Sequence, residues 1–107
     1  MTLAALLEEL KEVDPKLYDD ISHLELIGWQ QPRNQAMDHL QGCIQRACER
    51  RGDWEVSVWW KDNKWVALIR LPGGYTDPHK VFAEESDSAA EALLAAYIAA
   101  VRAEAKR

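Results

Sequence analysis

Residues 54–101 read WEVSVWWKDNKWVALIRLPGGYTDPHKVFAEESDSAAEALLAAYIAAV. Trp54, Val56, Val58 and Trp60 alternate with Glu55, Ser57 and Trp59. After Lys61-Asp62-Asn63-Lys64, Trp65, Ala67, Ile69 and Leu71 alternate with Val66, Leu68 and Arg70. Period-two alternation is the mark of a strand. Asp62-Asn63 suits a type I′ turn, because both residues tolerate positive φ. The stretch therefore predicts a Trp-rich hairpin, a third strand over about 80–84 and a closing helix. Ser88 and Glu91 have the S-x-x-E spacing of a capping box. Leu93, Leu94, Tyr97, Ile98 and Val101 supply that helix with a buried side, and basic Arg102, Lys106 and Arg107 suit its C-terminal end. The second side of the hairpin, with Trp59, Val66 and Leu68, is not polar. A sheet wet on one side alternates cleanly, so the pattern predicts that both faces are covered.

Three helices are expected upstream. Thr2 can cap the first, whose apolar stripe is Leu3, Leu6, Leu7 and Leu10. Asp14-Pro15 ends it and starts the second, with Asp as N-cap and Pro at the first helical position. Leu17, Ile21, Leu24 and Ile27, with Tyr18 beside them, line that helix, and Gly28 stops it. The third runs from about Arg33 to Arg50 on Ala36, Met37, Leu40, Cys43, Ile44, Ala47 and Cys48, and Gly52 closes it. The expected fold is α+β: a three-stranded antiparallel β-meander in α-α-α-β-β-β-α order. Its αβββα core spans 33–106 and an acidic helical pair spans 1–28. If the last two helices share one sheet face and the first two take the other, the result is a layered α/β/α sandwich.

A chain of 107 residues with 48% hydrophobic and 29% charged residues makes a single domain, 1–107, with one core. Cys43 and Cys48 lie five residues apart in a helical pattern, about 500° of rotation, so they point apart and no disulfide is expected. Free thiols suit a reducing cytoplasm. The N-terminal stretch is acidic and lacks the basic start of a signal peptide, and no apolar run approaches the roughly 18 residues of a membrane span. The net charge of −5 is carried entirely by residues 1–28, with seven acids against two bases. Such an end disfavours nucleic acid. It fits a basic protein surface or plain solubility.

"ISHLELIGWQ" ending in Gly28-Trp29, a following helix, the Trp-rich hairpin and "SDSAAEALLAAYIAAV" together resemble the phage ABA sandwich domain family over about residues 17–101. Gln31-Pro32-Arg33-Asn34 stands where members often have Pro-Tyr-Ser/Thr. The resemblance implies a phage or prophage origin, with no established activity and no functional residue to carry over. The β-β-β-α tail is also similar to the sheet and last helix of double-stranded RNA-binding domains. Those place lysines at the start of the final helix to hold phosphates; here Glu84, Glu85, Asp87 and Glu91 stand there.

Motifs for chemistry are sparse. His39 and Cys43 are four apart on one helix face, but zinc needs two more ligands, so a core or boundary pair is the plainer account and no metal is expected. Residues 72–79, Pro-Gly-Gly-Tyr-Thr-Asp-Pro-His, form the most site-like loop, because Gly73-Gly74 would let a ligand approach the backbone. No phosphate-loop spacing is present. The serines lack an elbow context, and neither cysteine sits in an activating motif. Glu84, Glu85 and Asp87 are close together, as expected of charge at a helix N-terminus. The sequence thus predicts no catalytic residue and no cofactor.

The function expected is that of a small non-enzymatic phage accessory protein in the bacterial cytoplasm. It would bind a host or bacterial-defence protein, as an anti-CRISPR-like or other anti-defence inhibitor, through an acidic surface. The expected contacts are Glu8, Glu9, Glu12, Asp19 and Asp20, with Trp59 and Tyr75. Direct contact with nucleic acid or membrane is not expected, and the chain would be a monomer or homodimer. The alternative is a small-ligand or nucleic-acid-binding module of double-stranded-RNA-binding-domain-like topology, using the Trp59 face and the glycine loop.

Overall fold

Thr2 accepts a hydrogen bond from the Ala5 N–H at 3.2 Å and starts α1 (Leu3–Val13). Asp14 accepts one from the Leu17 N–H at 3.2 Å and starts α2 (Pro15–Ser22), with Pro15 at the first position, as expected. The remaining elements are α3 (Asn34–Arg50), β1 (Glu55–Lys61), β2 (Lys64–Arg70), a 3-10 turn (Pro78–Lys80), β3 (Val81–Ser86) and α4 (Ala89–Ala105). The computed structural model describes residues 2–22 and 34–105, without the side chains of 34–36. The expectations for Leu24, Ile27, Gly28, Trp29, Pro32, Ala36, Lys106 and Arg107 lie outside these.

The strands form one antiparallel sheet in the order β1-β2-β3. Asp62 and Asn63 both have positive φ, 52° and 63°, as a type I′ turn requires. They set Trp60 opposite Trp65, Val58 opposite Ala67 and Val56 opposite Ile69. This inner face carries Phe82 from β3 and packs on α3 and α4. The third strand begins one residue later than expected and ends two later, at Ser86, because Asp77 and Pro78 wind residues 78–80 into the 3-10 turn first.

The fold is α+β, as the alternation and helical spacings imply. The layering differs from expectation. α1 packs on α2 and α4, and α2 packs on α1 and α3, so the N-terminal pair lies behind the helices rather than over the outer sheet face. The reason is in α4. Leu93, Leu94, Tyr97, Ile98 and Val101 are buried, but so are Ala92, Ala96 and Ala100 on another side. A helix with buried residues over most of its circumference needs cover on more than one side. Leu6, Leu7 and Leu10 of α1 join that same core, each burial worth roughly 1.5–3 kcal/mol.

The Trp residues divide accordingly. Trp54 is buried against Tyr97, with ring centroids 6.1 Å apart. Trp65 is half-buried, and Trp60, expected to face the core, is 54% exposed. Trp60 sits beside the turn on an edge strand, where it meets the Trp65 ring edge-on at 5.5 Å. On the outer face Val66 is buried yet stands apart from the main core, and Trp59 is 39% exposed.

Candidate binding surfaces

Three arrangements hold the charged and aromatic side chains. The first is the outer sheet face. The register puts Glu55, Ser57, Trp59 and Lys61 beside Lys64, Val66, Leu68 and Arg70 on this side, followed by Val81, Ala83 and Glu85. At one end Arg70 donates to Glu55 at 3.2 Å, and the Tyr75 hydroxyl donates to the same carboxylate oxygen at 2.6 Å. The Arg70 guanidinium lies 4.2 Å from the Tyr75 ring centre. The hydrogen bond to Glu55 raises the Tyr75 pKa. Trp59 and Tyr75, far apart in sequence, therefore share one surface.

The glycine loop beneath Tyr75 is not open to a ligand in the way the sequence suggests. Gly73 has φ +88°, and Gly74 is buried. A Cβ at Gly74 would collide with the Arg70 side chain and come within 3.0 and 3.1 Å of the Leu71 and Lys80 carbonyl oxygens. The room that glycine provides is taken by the chain itself. Gly74 N–H donates to Leu71 at 2.9 Å, Asp77 N–H donates to Gly73 at 3.1 Å, and the Asp77 carboxylate accepts from His79 N–H at 3.0 Å.

The second arrangement is the N-terminal pair. Glu8, Glu12, Asp19 and Asp20 are exposed on α1 and α2, separated by the helical layer from Trp59 and Tyr75. Glu9 differs: it is half-buried and accepts from Arg102 of α4 at 3.3 Å, which makes it in part a tether.

The third arrangement was not singled out from the sequence. A groove of about 480 Å³ runs between α1, α4 and the end of β3. Leu6, Ala95, Ile98 and Ala99 line its apolar part. Five carboxylates surround it, Glu9, Glu84, Glu85, Asp87 and Glu91, against two bases, Lys64 and Arg102. Glu91 accepts from the Ser86 hydroxyl at 3.0 Å, whereas Glu84, Glu85 and Asp87 are exposed. The cluster at 84–91 was visible in the sequence. Its meeting with Glu9 was not, because that depends on α1 docking on α4.

One part-buried polar cluster belongs to the scaffold. Tyr97 donates to Asp14 at 2.6 Å; Arg51 donates to Tyr97 at 2.9 Å and to Asp14 at 3.3 Å. Burial alone would raise the Asp14 pKa. Hydrogen bonds from Tyr97, the Leu17 N–H and Arg51 outweigh it, and the net shift is downward. Burial and the hydrogen bond to Asp14 push the Tyr97 hydroxyl well up. Cys48 is fully buried and its thiol is pushed up to about 12, chiefly by desolvation. His39 is exposed and Cys43 half-buried, and Cys43 accepts from Arg46 at 3.5 Å. Among the described residues no group of three or more His, Cys, Asp or Glu is placed to hold a metal ion, and no helix is long and apolar enough to cross a membrane. No family model matches the chain, and neither a curated protein nor a solved structure matches it.

Proposed function

We propose that this chain is a small non-enzymatic phage accessory protein that occupies a basic surface of a host or bacterial-defence protein through its carboxylates. The observation that carries the reading is the groove, where acids from α1, β3 and the start of α4 gather around an apolar floor. Charge complementarity of this kind raises association rates and selects partners. The exposed acids of α1 and α2 add to the same field. The phage role itself rests on the sequence resemblance alone. The test is to recover the partner with tagged protein from the bacterial host, then compare affinities at several salt concentrations. Reversal of Glu8, Glu12, Asp19 and Asp20 to Lys, and separately of Glu84 and Asp87, should weaken binding and flatten its salt dependence. Full affinity in both variants would end the acidic-surface reading.

The exposed Trp59 and the Tyr75–Arg70 stack favour a second reading, a small-ligand or nucleic-acid module on the outer sheet face. That face carries Lys61, Lys64 and Arg70 against Glu55 and Glu85, so its rim is mixed rather than basic. Phosphate contacts supply most of the affinity for nucleic acid, and one net positive charge offers few. Titration of Trp fluorescence with single-stranded DNA and duplex RNA at about 0.15 M salt decides the matter. A micromolar affinity would favour this reading over the first.

A further inference from the structure

We propose that the free edge of β3 and the groove beside it form a strand-addition site for an extended basic segment of the partner, an inference that rests on the acidic-surface reading above. β3 is hydrogen-bonded to β2 on one side and, among the described residues, to no strand on the other. An edge strand presents a row of backbone donors and acceptors that another chain can complete. Here the row does not face open water alone. Glu84, Glu85 and Ser86 of β3 border the groove, and Ala95, Ile98 and Ala99 of α4 line it with Leu6 of α1.

Side chains of an added strand alternate in direction. Every second one would lie toward the apolar lining, and those between would emerge on the Glu85 side. Glu84 and Glu91 flank the first set and Glu85 the second. An alternation of small apolar and basic residues therefore matches the groove in both period and charge. A second copy of this chain does not match. Pairing β3 with β3 would bring Glu84 and Glu85 against their counterparts, and like charges across a ladder are destabilising. A metal ion does not match either, since the carboxylates are strung along the edge and do not converge.

The experiment uses the full chain and two fluorescein-labelled heptapeptides of alternating Lys and Val. One is unmodified, and the other is N-methylated at alternate residues so that it keeps its charge but loses backbone donors. The unmodified peptide should bind and slow amide exchange along residues 81–86. The methylated one should bind about tenfold more weakly, as the loss of one or two net hydrogen bonds implies. The Glu84→Lys, Asp87→Lys protein should lose a similar factor, and the Glu8, Glu12, Asp19, Asp20→Lys protein, changed only in the surrounding field, should lose less. Equal affinity for both peptides would overturn strand addition while leaving the acidic-surface reading intact. Failure of both peptides to bind, or exchange protection only away from β3, would also overturn it.

Discussion

Asp14 caps α2 with one carboxylate oxygen and holds Tyr97 and Arg51 with the other. Its pKa lies below the ordinary 3.8 in the folded chain, so near that pH the unfolded chain binds the proton more tightly. The stabilisation is complete above the unfolded value and is lost as pH falls through the folded one. In urea melts, Asp14→Asn should be less stable than wild type at pH 7, with the gap closing below about pH 4. A gap that stays constant down to about pH 2 would show that the charge contributes nothing. Tyr97→Phe should cost about 1.5–3 kcal/mol, the range for a hydrogen bond to a charged group. The cysteines offer a separate check. Half-buried Cys43 should react with a thiol reagent in the folded protein, whereas Cys48, buried and pushed up to about 12, should react only on unfolding. Equal native rates would place Cys48 at the surface. Asp14 as a cap was legible in the sequence because its partner is three residues away. Its bonds to Arg51 and Tyr97, 37 and 83 residues away, have no local signature.

α4 shows where local reading succeeds and where it stops. Ser88 accepts from the Glu91 N–H at 3.4 Å, as its spacing predicts. The reciprocal half of the box is diverted. Glu91 takes the Ser86 hydroxyl instead, and Ser86 accepts from the Ser88 N–H at 3.4 Å. The helix start is thus tied to the end of β3. Ser88→Ala should cost about 1 kcal/mol, and Ser86→Ala about 0.5–1.5 kcal/mol, both read from thermal or denaturant melts. A neutral Ser86→Ala would mean that the strand and helix are not joined there. The sequence pointed α1 and α2 to the outer sheet face; the structure seats α1 on α4 and α2 on α1 and α3 instead. Large residues such as Trp59 drew attention to the sheet face. At the actual seat, Ile98 of α4 lies beside Leu6 of α1, and Arg102 reaches Glu9. Propensity and period cannot rank the two; packing does.

Across the whole molecule, burial separates the scaffold from the surfaces offered to partners. Trp54→Ala should cost about 3–5 kcal/mol, as expected for a large core aromatic. Trp59→Ser, 39% exposed and outside the main core, should cost less than about 1 kcal/mol in the same melts. A loss comparable to that of Trp54 would show that the outer face is structural. The packing of α1 on α4 also has a consequence in time. Asp14 and Glu9 leave the ribosome before their partners Tyr97 and Arg102, which follow 83 and 93 residues later. At about 5–20 residues per second that delay is on the order of 4–20 s. Until α4 emerges, Leu6, Leu7 and Leu10 lack the surface that buries them. α1 and α2 are therefore made well before the helix that seats α1, and in the interval their apolar stripe is open to chaperones.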